Sequence, residues 1–347
     1  MTHAPGTERA VSVAPAAVGP PGRAEIAESI AADLDRVEAL FRSSLESPLR
    51  LVRELGSFVS EAGGKRVRPT LHLLCARLCG GAERHAVLLA TVLEFIHSAT
   101  LIHDDVIDGA ATRRGQDSLN QRWGNSVTVL FGDYLFAKAM ELALRAGRLD
   151  VMERLADVTL RMTEGEMLQT RYVGRLDLSV EEHLNLVDRK TAALFACCCE
   201  LAAVTADADP DRRESLARYG RNLGMAFQVV DDVLDFTGTT ARLGKPAASD
   251  LREGKATLAV LELLGSASPL AAEGRDLARR VVERRGEDPG DIARLTEILH
   301  ESGALARARL TAEAYARSAV RELERFPDGP PRRALAAVPD VLLARDH

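Results

Sequence analysis

The 347-residue chain carries 45 Lys and Arg against 51 Asp and Glu, a net charge of −6, which argues against a nucleic-acid partner because such proteins present a basic face. Apolar residues make up 46% of it, enough for a large core, while aromatics at 4% and an abundance of Ala, Leu and Arg favour helix over sheet. No apolar run approaches the roughly 20 residues of a membrane span, so no integral membrane segment is expected.

Met1 to Arg23 is rich in Ala, Pro and Gly, and Pro15, Pro20 and Pro21 break its short apolar part. Residues 1–23 read as a disordered tail rather than a secretory signal, whose apolar region is longer and unbroken. Residues 24–347 read as one domain. Ile26, Ile30, Leu34, Val37, Phe41 and Leu45 recur at three- and four-residue steps, a helical stripe that Pro48 closes. A second helical pattern covers Leu49–Ala62 and stops at Gly63-Gly64, and Pro69 suits the first turn of the helix that follows over Thr70–Leu78. Further helices are predicted over His85–Gly109, Ser126–Ala146, Val151–Val173, Val180–Thr205, Arg212–Thr237 and Ala256–Leu264, with two or three more beyond. The stretches 239–255 and 284–290 read as surface loops, and no β-alternation or hairpin signal is found. The fold expected is an all-α, single-domain helical bundle around a central apolar cavity. Cys75, Cys79, Cys197, Cys198 and Cys199 lack metal-ligand spacing and read as reduced, buried thiols of a cytoplasmic protein.

One acidic motif occurs twice inside apolar helical pattern, as Asp104-Asp105-Val106-Ile107-Asp108 and Asp231-Asp232-Val233-Leu234-Asp235. Residues four apart share a helix face, so Asp104 with Asp108, and Asp231 with Asp235, present paired carboxylates. Like charges so placed repel, more strongly where water is scarce. A lone motif of this kind is more often a solvated acidic face. Two of them, flanked by Val, Ile, Leu and Phe, point instead to bound cations across a cavity. Mg²⁺ fits such a site, because it takes one or two carboxylates and completes its shell with water and substrate phosphates.

Cationic candidates accompany the carboxylates. Gly63-Gly64-Lys65-Arg66-Val67-Arg68-Pro69 joins a basic loop to a helix N-terminus, an anion-binding combination. Arg113-Arg114-Gly115 could clamp phosphate oxygens. Lys190-Thr191, Gln228, Lys245 and the run Asp250–Lys255 follow. Each is unremarkable alone; together they describe a site for two diphosphates, one held through metal and one by cations.

GGKRVRP, His97, LIHDDVID, RRG, Lys190-Thr191, GMAFQVVDDVLDF, LGK and EGK, in that order from Gly63 to Lys255, resemble the trans-isoprenyl (polyprenyl) diphosphate synthase family, in its medium- or long-chain branch. The resemblance implies the isoprenoid synthase type I fold, a homodimer, and condensation of isopentenyl diphosphate with an allylic diphosphate into a linear all-trans product. It implies Mg²⁺ as cofactor, three ions with substrate bound, on Asp104, Asp108, Asp231 and Asp235, with Lys190 beside them in the catalytic set. Lys65, Arg68, His97 and Arg114 match positions that hold isopentenyl diphosphate, and Gly64 is counted among the substrate-binding residues. Arg113, Lys190, Thr191, Gln228, Lys245 and Lys255 match positions around the allylic diphosphate. Ala99 and Thr100, five and four residues before Asp104, would line the path of the growing chain, and their small side chains suggest an open tunnel. Phe136, with Phe131 and Met140, is a candidate for its floor. The alternatives are a geranylgeranyl diphosphate synthase, a terpene cyclase, and a non-catalytic prenyl-diphosphate-binding subunit of a heteromeric synthase.

Overall fold

Helix boundaries fall where local chemistry stops the backbone. The computed structural model describes residues 23–61, 63–81, 83–113, 116–238 and 247–344; most of the predicted tail therefore lies outside the described residues, and Arg23 already opens a helix. The helices are α1 (Arg23–Ser44), α2 (Arg50–Glu61), α3 (Val67–Cys79), α4 (Glu83–Ile107), α5 (Leu119–Trp123), α6 (Asn125–Leu144), α7 (Leu149–Tyr172), α8 (Val180–Val187), α9 (Ala193–Thr205), α10 (Pro210–Thr237), α11 (Ser249–Arg252), α12 (Leu258–Leu264), α13 (Ala271–Glu283), α14 (Pro289–Glu301), α15 (Ala304–Glu322) and α16 (Pro330–Leu343). Ser179 and Glu182 form a reciprocal capping box that starts α8. Asp209 caps α10 through the Arg212 amide, with Pro210 at the first turn. Gly80, at φ 69°, ends α3 in the left-handed conformation that glycine adopts without strain.

The all-α expectation holds, with several differences of detail, among them the short helix α5, which was not expected, and α11, which lies within the stretch 239–255 expected as a surface loop and has Ala248 and Leu251 fully buried about it. Thr112–Arg113 (β1) and Gln116–Asp117 (β2) pair as a short antiparallel hairpin after the first acidic motif. The predicted helix over Val180–Thr205 contains a π-helical turn, Asp188–Ala192, between α8 and α9. Four helices, α13 to α16, occupy the C-terminal region where two or three were expected. Their starts were readable from Pro289 and Pro330, each in a first turn, and from Gly303 before α15.

One further expectation needs correction. His85–Ile107 is long and apolar enough to cross a membrane, but 67% of its most apolar window is buried inside the fold. It carries Glu94, His97 and Asp104 and packs against α6, α3 and α1, as the central helix of a bundle does.

The core has three main parts. One joins α2, α4, α6, α7 and α9 through residues such as Leu93, Leu135, Leu155 and Leu201. A second joins α1, α3, α9, the first half of α10 and α16 through Leu74, Phe195, Leu216 and Leu335. The third packs the end of α10 against the C-terminal helices through Val229, Leu263, Leu277 and Ile298. Each such side chain, fully buried, contributes roughly 1.5–3 kcal/mol. The three consecutive cysteines show how α9 serves two of these cores. Cys197 and Cys198 face the first and Cys199 the second, as the 100° step per residue of a helix dictates. All five cysteines are free; Cys79 is only half-buried, against expectation, and burial pushes the thiols of Cys197, Cys198 and Cys199 well above their ordinary pKa.

Candidate active site

The first acidic motif ends α4, and its carboxylates meet lysines delivered from two other directions. Lys190, on the π turn, places Nζ 3.7 Å from Asp104 Oδ2 and 2.6 Å from Glu166 Oε2 on α7. Lys255, beyond α11, places Nζ 2.7 Å from Asp108 Oδ2 and 2.8 Å from Glu253. Burial opposes the charge on Lys255, but Asp108 and Glu253 outweigh it and the ammonium pKa is pushed up to about 12. The same two lysines line a cavity of about 170 Å³ together with Thr191, Gln228, Asp231, Asp232 and Asp250. The two acidic motifs therefore border one continuous site.

The π turn is gripped from both sides. On α7, a Cβ at Gly165 would lie 2.9 Å from the Lys190 amide nitrogen, and on α10 a Cβ at Gly224 would lie 2.6 Å from Ala192 Cα. Only glycine lets both helices approach so closely. Asp188, at the start of the turn, accepts from Arg221 Nε at 2.5 Å and Arg161 Nη2 at 3.2 Å. Such π turns recur at functional sites, and this one carries Lys190 and Thr191 into the cavity.

A hydrogen-bond relay runs along the cavity wall. Thr191 Oγ1 donates to Gln228 Oε1 at 2.9 Å, and Gln228 Nε2 donates to Asp232 Oδ1 at 2.9 Å. The relay ends there: Asp232 Oδ2 lies 3.5 Å from Nε2 of His183, which is buried on α8, and neither atom is hydrogen-bonded. His183, Asp232 and Glu166 were not singled out from sequence. The signal for Asp232 was present in the motif itself, and Glu166 is fixed only by the approach of α7.

The basic loop after α2 divides its cations between two tasks. Arg66, in the left-handed region at φ 47°, is taken up by Glu38 at 2.8 Å and by Glu94 at 2.6 Å. These pairs brace α1 and α4 at the edge of a cavity that Arg66 also lines. Arg68 instead places Nη1 3.0 Å from His97 Nε2, stacks 4.9 Å over Phe195, and has a buried Nε without a hydrogen-bond partner. Its enclosure lowers the guanidinium pKa from the usual value. Gly64 and Lys65 are exposed beside this pair. Gly63, His97, Asp105 and Asp117 line a neighbouring cavity of about 70 Å³. The Arg113 backbone pairs with Gln116 in the hairpin, while Arg114 and Lys245 lie outside the described residues.

Asp235 is not brought to the cavity. It is fully buried, its Oδ1 accepting from Ser249 Oγ at 2.7 Å and its Oδ2 from the Asp250 amide at 3.1 Å. Four residues advance a helix by about 40° beyond a full turn, so Asp235 faces the α11 segment while Asp231 faces the cavity.

A third cavity, of about 510 Å³, opens below Asp104 and is mainly apolar. Ala99, Thr100, Phe136, Met162 and Val129 are on its wall, as are Glu166 and Lys190 beside Asp104. Phe131 is instead buried in the core.

No three His, Cys, Asp or Glu side chains among the described residues converge closely enough to hold a metal unaided. The donors nevertheless suit Mg²⁺ shared with phosphate: oxygen only, one or two carboxylates per motif, and positive partners already opposite them. Thr257 Oγ1, on the wall of the Asp231 cavity, and Glu166 Oε1 are buried without partners. Polar atoms so placed are expected to meet a polar ligand.

The sequence profile of the polyprenyl synthetase family matches residues 50–299. The chain is a member of this family. An octaprenyl diphosphate synthase of Escherichia coli K12 is 34% identical over 93% of this chain and 99% of its own length. A nonaprenyl diphosphate synthase of Mycobacterium tuberculosis is 36% identical over 93% of this chain and 96% of its own. The crystal structure of a polyprenyl synthase from Caulobacter crescentus CB15, complexed with calcium and isoprenyl diphosphate, superposes with a TM-score of 0.88. It is 38% identical, over 93% of this chain and 98% of that one. As a polyprenyl synthetase the chain is a prenyltransferase, and the helical architecture is that of its relatives.

Proposed function

We propose that this polyprenyl synthetase condenses isopentenyl diphosphate with an allylic diphosphate to make a linear all-trans polyprenyl diphosphate of medium or long chain, using Mg²⁺. The observation that carries the reading is Lys190: it reaches Asp104 on α4 and lines the cavity that Asp231 borders on α10. In this reading Asp104, Asp108 and Asp231 hold the metal, three ions in the full complement, while Lys190, Thr191, Gln228 and Lys255 bind and orient the allylic diphosphate. Bound Mg²⁺ would neutralise the diphosphate and act as a Lewis acid on the breaking C–O bond. Lys190 and Lys255 stabilise the negative charge that develops on the leaving group. Arg68, His97 and Lys65 hold the isopentenyl diphosphate, whose double bond attacks the allylic carbon as its C–O bond breaks, and the departing diphosphate takes the proton lost in forming the new double bond. The apolar cavity below Asp104 keeps water from that carbon. Ala99 and Thr100 leave room there for a long chain, in keeping with the octaprenyl and nonaprenyl synthases among the relatives.

The proposal extends to a cytoplasmic homodimer. Its supports are the five free cysteines and the exposed Leu130, Leu160 and Met167 on the helices that flank the tunnel. Sedimentation of the purified protein tests the dimer.

The deciding experiment incubates purified protein with Mg²⁺, labelled isopentenyl diphosphate and each of three allylic primers, then sizes the dephosphorylated products. Products longer than geranylgeranyl are expected. Arrest at geranylgeranyl would overturn the chain-length assignment, and absence of isopentenyl diphosphate consumption would favour a non-catalytic subunit. Asp104→Ala and Asp231→Ala should each lower turnover at least about a hundredfold, roughly 3 kcal/mol of barrier.

A further inference from the structure

The second acidic motif splits its carboxylates between two jobs. We infer that Asp235 is a positioning residue that clamps the Ala248–Lys255 segment against the cavity, and that it does not ligate metal. The inference rests on reading the Asp231 cavity as the allylic diphosphate site.

One residue holds three consecutive residues of the segment. The Asp235 carbonyl accepts from the Ala248 amide at 2.8 Å, and its carboxylate accepts from the Ser249 hydroxyl at 2.7 Å and the Asp250 amide at 3.1 Å. Ala248 is fully buried and held at φ 54°, a left-handed conformation that a non-glycine residue keeps only when its surroundings impose it. The clamp propagates along the chain. The Lys255 amide donates to the Asp250 carbonyl at 2.8 Å, and the Gly254 carbonyl accepts from the Gly174 amide at 2.8 Å. Asp250 and Lys255 both line the Asp231 cavity, and Lys255 reaches Asp108. To reach a cation in that cavity, Asp235 would have to give up bonds to both oxygens and leave a fully buried position, which strands the Asp250 amide. Asp231, one turn earlier, already faces the cavity.

Steady-state kinetics on the full chain separate clamp from ligand, with farnesyl diphosphate as the allylic probe. Asp235→Asn and Ser249→Ala should each raise the KM for farnesyl diphosphate, Asp235→Asn by about tenfold, as loss of a charged hydrogen bond implies. Turnover should fall much less, and the Mg²⁺ concentration for half-maximal rate should stay at the wild-type value. The double variant should be no worse than Asp235→Asn alone, because the two side chains share one interaction. Amide hydrogen exchange over residues 248–255 should accelerate in both single variants, a readout independent of turnover. The inference is overturned if Asp235→Asn shifts the Mg²⁺ dependence while Ser249→Ala behaves as wild type, or if exchange in that segment is unchanged. Ser249→Ala removes only a hydroxyl, so the test survives a poorly folding Asp235→Asn. Asp231→Asn tests the functional reading by itself: a wild-type Mg²⁺ dependence there sinks that reading, whatever Asp235→Asn does.

Discussion

Charge balance in the site is settled residue by residue. Lys255 against Asp108, and Lys190 between Asp104 and Glu166, give the carboxylates positive partners from within the chain. Cations arriving with substrate must compete with these ammonium groups. Lys255→Ala should therefore bind Mg²⁺ several-fold more tightly in the absence of diphosphate, while its KM for the allylic substrate rises, the first read by titration calorimetry and the second by kinetics. A second residue-scale effect is remote from the cavity. His72 is fully buried with Nδ1 2.8 Å from the Cys198 carbonyl, and burial lowers its pKa to about 4. The folded state thus disfavours the imidazolium that the unfolded chain accepts near its ordinary pKa. This neutral-His contribution is fully present above about pH 6.5 and fades as pH falls towards about 4, on the order of 3 kcal/mol in all. Denaturant midpoints measured across that window should fall, and His72→Gln should flatten the slope. The sequence displayed Asp104, Asp231 and the lysines because each sits in a motif. It did not display Glu166 or His183, whose relevance depends on which helix faces the motif, and it paired Asp235 with Asp231 because spacing alone ignores the drift of a helix face.

Elements were legible where apolar periodicity was strong, as in α1 and α10, and less so where the backbone departs from α geometry. The π turn at Asp188–Ala192 left no trace in the pattern, because its cause is tertiary: two glycines on other helices and two arginines on Asp188. Gly165→Ala puts a methyl group 2.9 Å from the Lys190 nitrogen, so the turn must shift. Turnover should drop by tenfold or so, with a stability loss of roughly 1–3 kcal/mol, whereas Ala at exposed Gly147, at φ 66° in the turn between α6 and α7, strains only that turn. Equal effects of the two substitutions would show that Lys190 is not placed by α7. The small hairpin at Thr112–Asp117 was also unseen, since two-residue strands carry no alternation to detect.

At the scale of the molecule, the bundle leaves an apolar cavity running away from Asp104 between α4, α6 and α7. Ala99 is 1% exposed yet lies on its wall, so a larger residue there intrudes on the cavity. Ala99→Phe should shorten the product distribution at little cost in the first condensation; unchanged products would move the length-setting wall elsewhere, towards Phe136 or Met162. The existence of a bundle followed from composition and periodicity, but its division into three cores did not, because α9, which joins the first two, reads as apolar on nearly every face. The joint at α9 has a consequence for how the sequence can vary. Neighbouring residues there belong to opposite interiors, so exchanging one small apolar side chain for another is a local matter, whereas deleting a single residue between Ala193 and Thr205 rotates every later side chain into the wrong compartment. Codon-by-codon deletion through this helix should abolish expression of folded protein at positions where alanine replacement is accepted.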